Sequence, residues 1–293
     1  MAGSAGQVRA VTGTYWSGAR RRLLANPGAR ISLGIVAALV VLAVVGPWLN
    51  PNSAQALDWS HVATDPGMAN AHWFGTDRLG RDLYVRTLEG ARVSMIVGLV
   101  ASAVSLTLGL VYGAVAGYVG GRTDDVMMRI IEILGGLPLI FFVIFLTVVF
   151  GRNEYLLFVS IGAVGWLTLA RIVRGQALSI RRQEYIEAAI ASGAGTARII
   201  YKHVLPNVVG PVIVYATLTV PQIILLESFL SFLGLGIQEP GASLGTLIAE
   251  GAGEMEAAPW MLLAPGAFLT VLLVCLNLFG DGLRDAFDTA GRR

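Results

Sequence analysis

Charged side chains are scarce in this sequence of 293 residues, since they make up only 14% of it while hydrophobic residues make up 55%. The mean hydropathy is +0.68. Soluble domains carry roughly 25% charged residues. This composition therefore excludes an ordinary soluble protein and predicts an integral membrane protein. The net charge of +2 gives no indication of a nucleic-acid partner.

Lysine and cysteine are nearly absent as well. The one lysine, Lys202, is not preceded by glycine, whereas a nucleotide-binding P-loop needs a Gly-Lys pair. We therefore expect the chain to bind no cofactor of its own and not to be an enzyme. The one cysteine, Cys275, lies in an apolar run and excludes an intrachain disulfide. No metal site is predicted, because no metal-ligand spacing is shown by the three histidines, His61, His72 and His203.

Six apolar stretches are long enough to cross a bilayer, which takes about 20 helical residues. They cover residues 31–49, 93–118, 126–150, 155–178, 208–234 and 260–279. The predicted fold class is therefore an all-α membrane protein with six transmembrane helices. The chain divides into a tail over 1–30, a first helix with an external segment over 31–92, a core over 93–282 and a tail over 283–293.

Glycine and proline predict irregularities in two of these spans. Gly135, Gly136 and Pro138 predict a kink in the third. Pro211 and Pro221 are predicted to interrupt the fifth.

The basic residues are distributed unevenly between the two sides of such a protein. With both termini in the cytosol, 16 basic residues lie on the cytosolic side and 5 on the other. The cytosolic segments are 1–30, 119–129, 171–207 and 281–293, and the external ones are 50–92, 151–154 and 235–258. Because cytosolic loops of membrane proteins are enriched in Lys and Arg, we predict this orientation.

Small residues recur every four positions along the second span. They are Ala101, Ser105, Gly109, Gly113, Gly117 and Gly121. This spacing places them on one face of a helix. Membrane helices associate where small side chains let their backbones approach, so the row predicts close packing against a neighbouring helix.

Two acidic residues, Glu132 and Glu227, lie within predicted spans. Ionisable groups at such positions are costly unless they face a polar interior, which makes both candidates for contact with a transport pathway. In the alternative interpretation each lies near a span end or is satisfied by a neighbouring helix. If either carried protons, the chain would be a self-sufficient proton-coupled secondary transporter, a class that often contains inverted repeats. No convincing repeat is found.

The stretch Gly241–Gly245 fits the nucleophile-elbow pattern of hydrolases. That pattern requires a strand, a turn and a helix in an α/β sheet, whereas this one lies between predicted spans. Ser243 also has no credible base partner. An intramembrane hydrolase is therefore not favoured, and these glycines predict a turn on the external side.

Residues 184–207 form a polar, helix-forming segment between the fourth and fifth spans. Good helix formers predict a first helix over 182–192, and Gly193 and Gly195 predict a turn with unusual dihedral angles. Thr196 is the predicted N-cap of a second short helix, which Pro206 should end. Since so short a segment has no core of its own, we expect it to lie on the membrane face and contact a partner.

This segment resembles the EAA loop of ABC importer permeases. In that pattern Glu-Ala-Ala is followed after three residues by Gly, and after nine more by an apolar residue, any residue, Leu and Pro. The matching positions are Glu187, Ala188, Ala189, Gly193, Leu205 and Pro206. His203 stands at the apolar position, and the run that begins with it is similar to the peptide-transporter branch.

Further motifs are similar to the second permease of dipeptide, oligopeptide and nickel importers. They are Gly75–Leu83, Gly90–Arg92 with Ser94, Ser231–Gly236 and Gly280–Asp285. The likeness covers residues 31–288.

This resemblance implies a type I importer permease in a bacterial cell membrane, surrounded by lipid. Its implied partners are a second homologous permease, two ATPase subunits that bind ATP and Mg, and an external substrate-binding protein. The chain would form half of a translocation pathway for peptides, although nickel and other solutes share these motifs.

The resemblance also implies roles for residues of the coupling loop, about 179–207. Glu187 would anchor the loop on an ATPase through charge-assisted hydrogen bonds, and Ala188 and Ala189 would permit close docking. Gly193 would supply the turn, and Pro206 would set the exit angle.

Overall fold

The computed structural model describes residues 15–68, 71–150 and 154–287. Helices dominate these ranges, in which the only extended pairing is an isolated bridge between Thr76 and Asp82. The predicted all-α class is confirmed. The helices are α1 (Tyr15–Ala25), α2 (Pro27–Val45), α3 (Leu83–Val119), α4 (Gly121–Gly135), α5 (Leu139–Phe150), α6 (Glu154–Arg181), α7 (Glu184–Ala191), α8 (Thr196–Ile199), α9 (Leu205–Phe232), α10 (Leu244–Gly253) and α11 (Trp260–Phe287).

Four helical segments in the described ranges are long and apolar enough to cross a membrane. They are Pro27–Leu49, Leu83–Val119, Thr196–Phe232 and Trp260–Phe287. The pair α4 and α5 adds a fifth if the bent pair is counted as one span. The remaining predicted span corresponds to α6, which has 28 residues but is not among the segments that meet this criterion.

Two spans begin earlier than predicted because polar side chains cap them. Asp82 Oδ1 accepts the Val85 N–H at 2.9 Å, so α3 begins at Leu83 rather than near residue 93. In the same way, Asn26 Oδ1 accepts the Ala29 N–H at 3.3 Å, and α2 begins before residue 31.

The irregularities predicted at glycine and proline occur in the third span but not in the fifth. Across the predicted kink, between Gly135 and Leu139, the chain bends by 85°. The predicted interruption of the fifth span is wrong, because α9 continues through Pro211 and Pro221. A membrane helix tolerates proline where neighbouring groups satisfy the freed carbonyls.

Helix α3 lies at the centre of the described fold and contacts α2, α4, α6, α9, α10 and α11. Its closest neighbour is α6, against which the small residues of the predicted row lie. A side-chain carbon added to Gly117 would stand 2.5 Å from the Arg174 carbonyl oxygen, and one added to Gly113 would clash with that of Ala170. Ser105 Oγ donates to the Gly162 carbonyl oxygen at 3.0 Å. The two backbones are therefore nearly in contact.

Gly121 is not part of this row, contrary to the spacing. Helix α3 ends at Val119, and Gly120 and Gly121 have φ angles of 69° and 55°. These angles turn the chain into α4, and a side-chain carbon on Gly121 would meet no atom within 4 Å.

We predict that Gly113→Leu destabilises the fold, because the added side chain must separate α3 from the α6 backbone. Overpacking of this kind costs typically about 1–3 kcal/mol, so the thermal unfolding temperature in detergent should fall. Gly175→Leu is the matched control, since a side-chain carbon added to Gly175 of α6 would meet no atom within 4 Å. Equal unfolding temperatures for the two variants would contradict the packing described above.

Candidate functional site

The first half of the segment that resembles the EAA loop is a helix with a glycine-dependent end. After α7, the Ala194 N–H bonds to the Ala189 carbonyl at 3.0 Å and the Gly193 N–H to that of Ile190 at 2.9 Å. This pair of bonds is a Schellman motif, which needs a left-handed residue. Gly193 has that conformation, with φ of 82°. Gly195 has φ of −72°, so the predicted unusual dihedral angle is wrong for that residue.

The second half of the segment differs from the prediction. Gly195 precedes α8 as its N-cap and Thr196 is already helical. Pro206 lies in the first turn of α9 and does not end a helix, because a π-helical turn over Ile200–Val204 joins α8 to α9. The Leu205 N–H bonds to the carbonyl five residues back. This wider turn gives room to a proline ring that would otherwise press on the preceding turn.

One face of this segment is buried against the helix ends beside it. Ile186, Ile199 and Val204 are fully buried and pack in one apolar cluster with Tyr118 of α3 and Val173 of α6. The segment therefore has no separate core but shares one with the spans. Burial of this kind fixes the position of α7 relative to α3, α6 and α9.

The opposite face is exposed and combines the acids Glu184 and Glu187 with large side chains. Glu187 and Ala188 are exposed, and Ala189 is half-buried. Of the aromatic neighbours, Tyr185 is 44% exposed and Tyr201 78%. Exposed apolar groups of this size around a charge are typical of interaction surfaces. Among the remaining EAA-pattern positions, Leu205 is half-buried and Pro206 is exposed.

Glu227 lies in the interior and holds three helices together. Its side chain is 0% exposed and accepts hydrogen bonds from Ser94 Oγ of α3 at 2.9 Å and Ser231 Oγ of α9 at 2.6 Å. The Leu244 N–H of α10 donates to Ser94 Oγ at 3.2 Å. Glu227 is thus satisfied by neighbouring helices and has no exposed surface toward a pathway in this structure.

Glu132 has the opposite environment. Its side chain is 61% exposed and pairs with Arg129 at 3.0 Å, one turn earlier in α4. It lines an open cavity of about 520 Å³ between α4 and α6. Beside that cavity Arg174 donates to both carboxylate oxygens of Asp124 at 2.5 and 2.6 Å. This ion pair joins α4 to α6.

Comparison with protein families assigns the chain to a family of membrane transport proteins. Residues 109–293 match the family described as the inner membrane component of binding-protein-dependent transport systems. Residues 14–70 match the N-terminal transmembrane domain of oligopeptide transport permease C. The chain belongs to this family of transport permeases. It is accordingly a multi-pass protein of the bacterial inner membrane.

Several named permeases are similar over nearly the whole chain. The oligopeptide transport system permease protein OppC of Haemophilus influenzae is 51% identical over 279 residues, which cover 95% of this chain and 90% of the relative. The same protein of Escherichia coli K12 is 50% identical, with 95% and 92% covered. The dipeptide transport system permease protein DppC of Bacillus subtilis is 45% identical, with 96% and 87% covered. The family predicted from the motifs is confirmed.

A solved structure shows the same fold. The MetNI methionine ABC transporter, in an inward-facing crystal form, aligns with a TM-score of 0.55 and 19% identity. The alignment covers 69% of this chain and 96% of that one. At this identity the likeness shows the fold alone.

In this permease Ser243 is a structural residue. Its Oγ accepts the Thr246 N–H at 3.3 Å, and Thr246 Oγ1 accepts the Ser243 N–H at 2.8 Å. These two bonds form a capping box at the start of α10. The strand that a nucleophile elbow requires is not found in the ranges that the structure describes.

The permease also contains a buried ion cluster that the sequence did not predict. Arg81 Nε contacts Asp77 Oδ2 at 2.6 Å and Arg81 Nη2 contacts Glu239 at 3.1 Å. Arg86, whose side chain is 1% exposed, contacts Glu250 of α10 at 3.3 Å. The cluster joins the segment before α3 to α10. In the sequence, the one indication of this cluster was the four-residue spacing of Asp77 and Arg81 within the motif Gly75–Leu83.

Burial and neighbouring opposite charges shift the pKa values of Glu250 and Arg81 in opposite directions. Burial raises the pKa of Glu250, while the guanidinium groups of Arg86 and Arg81 act to lower it. For Arg81 burial acts to lower the pKa, but the hydrogen bond and charge of Asp77 raise it above the ordinary arginine value. The cluster therefore depends on having both signs of charge present.

We predict that Glu250→Ala strongly destabilises this permease, because it leaves Arg86 buried without its α10 partner. Breaking a buried ion pair costs about 3–5 kcal/mol. Thermal unfolding in detergent measures the loss, and Glu256→Ala, which changes an exposed acid nearby, should leave the unfolding temperature unaltered. If both variants unfold at the wild-type temperature, the cluster does not stabilise α10.

Proposed function

We propose that this chain is one of two permease subunits of an ATP-driven peptide importer and forms half of its translocation pathway. The observation that carries this function is the EAA-type loop, which is exposed on one face and packed against three helices on the other. The names of the similar permeases, for oligopeptides and dipeptides, support a peptide as the solute.

The proposed complex contains four kinds of subunit. A second homologous permease completes the pathway, two ATPase subunits bind ATP and Mg, and an external binding protein delivers the peptide. The sequence supports this division, since its one lysine lies outside any Gly-Lys pair and a P-loop needs that pair.

The proposed topology has six spans with both termini in the cytosol. It counts α4 and α5 as one bent span and α6, with 28 residues, as another. A helix of that length extends about 42 Å, enough to cross the hydrocarbon core. The 16 basic residues on the proposed cytosolic side, against 5 on the other, support this arrangement. In it the EAA-type loop lies on the same side of the membrane as the proposed ATPases.

In this proposal the loop acts as a lever. Glu187 contacts the ATPase, while Ala188 and Ala189 let the two surfaces approach. Movement then passes through buried Ile186 and Ile199 to the ends of α3 and α6. It also passes directly into the continuous helical segment Thr196–Phe232, which carries Glu227 and its hydrogen bonds to α3 on the far side.

A proton-coupled secondary transporter is the second candidate, and the geometry favours it less. Glu227 is buried with three serine hydroxyls on its carboxylate, and Glu132 is exposed and paired with Arg129. Neither residue joins a chain of titratable groups among the contacts described. Uptake into membrane vesicles distinguishes the two classes, because the importer requires ATP and the secondary transporter a proton gradient.

We predict that Glu187→Arg abolishes co-purification of the ATPase subunits in mild detergent, because the reversed charge removes the proposed anchor. Glu184→Arg is the matched control, since Glu184 is also exposed on α7 but lies outside the EAA pattern. Retention of the ATPase subunits by Glu187→Arg would refute the proposed contact.

We also predict that Gly193→Val leaves the protein in the membrane but uncouples transport from ATP hydrolysis. A residue with a Cβ in the left-handed region costs roughly 1–2 kcal/mol, so the turn at φ of 82° should rearrange although the position has open space. Peptide uptake per ATP hydrolysed should fall about tenfold or more. In the control Gly195→Val, the φ of −72° suits valine, and coupling should persist; wild-type coupling in Gly193→Val would be evidence against the lever.

A further inference from the structure

The segment between α2 and α3 brings His72 beside Asp58 and His61, which lie earlier in the sequence. The rings of His61 and His72 have their centroids 5.4 Å apart. Nitrogen or oxygen atoms of Asp58, His61 and His72 all lie within 4.8 Å of one another. The sequence did not predict this cluster, because no helix or strand is predicted between His61 and His72 that would relate their positions.

We propose that Asp58, His61 and His72 form a binding site for a divalent transition-metal cation of the zinc type. The cation would tie the middle of the segment to the start of α3. The proposal is independent of the transported solute and of ATP coupling.

The ligand types select the class of cation. Two imidazoles and one carboxylate are ligands of tetrahedral Zn²⁺, with a water in the fourth position. Imidazole favours Zn²⁺, Ni²⁺ and Cu²⁺, whereas Mg²⁺ and Ca²⁺ prefer oxygen ligands alone. Ligand atoms of a tetrahedral zinc site stand roughly 3.3 Å apart. The ligand atoms therefore have to approach one another by up to about 1.5 Å to reach that geometry.

A second carboxylate orients His72 as metal sites require. His72 Nδ1 lies 2.9 Å from Asp82 Oδ2, and Asn52 Nδ2 donates to the same oxygen at 3.2 Å. Metal-bound histidines usually donate their other ring N–H to such a carboxylate, which fixes the tautomer that presents Nε2. The other oxygen of Asp82 caps α3 through the Val85 N–H, so His72 is tied to a long helix.

Backbone hydrogen bonds position all three ligands. The His61 N–H bonds to the Asp58 carbonyl at 3.1 Å, and the Gly75 N–H to the His72 carbonyl at 2.9 Å. Thr76 Oγ1 donates to the His61 carbonyl. The Asp58 backbone packs tightly against Gly80, whose φ is 74°. The ligands therefore stand on a constrained turn structure.

The charge state of Asp58 suits a cation. An aspartate carboxylate is ordinarily ionised at neutral pH, and that of Asp58 accepts the Ser60 hydroxyl at 2.5 Å. His61 Nδ1 lies 2.8 Å from Asp58 Oδ2, and the two side chains are 40% and 43% exposed. A cation can reach this pair from solvent and would replace their direct contact.

The test is Zn²⁺ binding to the full chain, purified in detergent through a histidine-free affinity tag and stripped with a chelator. Titration calorimetry gives the affinity, and elemental analysis after gel filtration gives the stoichiometry. We expect one Zn²⁺ per chain, with nitrogen and oxygen ligands in the zinc X-ray absorption spectrum.

The variants make the assignment specific. His61→Gln should weaken Zn²⁺ binding at least about tenfold, since loss of even an outer-shell partner typically costs about 10–100-fold, and it changes a partly exposed side chain. His72→Gln should do the same, although its burial makes His61→Gln the decisive variant. His203→Gln is the matched control, since it changes the one remaining histidine of the chain. The proposal would be overturned if the wild type bound no Zn²⁺ or if His61→Gln bound Zn²⁺ with wild-type affinity. It would also be overturned if His203→Gln lost as much Zn²⁺ affinity as His61→Gln.

Discussion

The close approach of α3 and α6 is the contact on which the rest of the described structure depends. In lipid little hydrophobic force draws helices together, so dispersion contacts and hydrogen bonds must do so. Both interactions become stronger when two backbones approach closely. The backbones of α3 and α6 do so where Gly113 and Gly117 contact the carbonyl groups of α6. With α6 held in this way, α3 presents its other faces to α2, α9, α10 and α11.

Buried polar groups then restrict how those helices can be arranged. The carboxylate of Glu227 needs the serines of α3 and α9, and Arg86 needs Glu250 of α10. Unpaired charge in the interior is far more costly than a lost apolar contact. The helices around α3 therefore have few alternative registers, and a displacement of the EAA-type loop is transmitted through packed helices.

Sequence reasoning succeeded where structure follows from local pattern. Hydropathy predicted the membrane class, and the motifs predicted the permease family. It was wrong where contacts with neighbouring segments outweighed the local preferences of proline and glycine. Pro206 and Pro221 lie inside helices because a π-helical turn and adjacent spans accommodate them. Gly121 is not part of the predicted row because Gly120 and Gly121 itself have positive φ angles, which turn the chain out of α3.

The sequence by itself determined the class, the family and the elements that depend on spacing within a few residues. Only the tertiary structure decided which distant side chains meet. Ser94 and Glu227, Arg86 and Glu250, and His61 and His72 come together in this way. The physical reason is that helix periodicity relates only near neighbours along the chain. Contacts across the fold depend on how closely whole helices pack and on the path of the connecting segments.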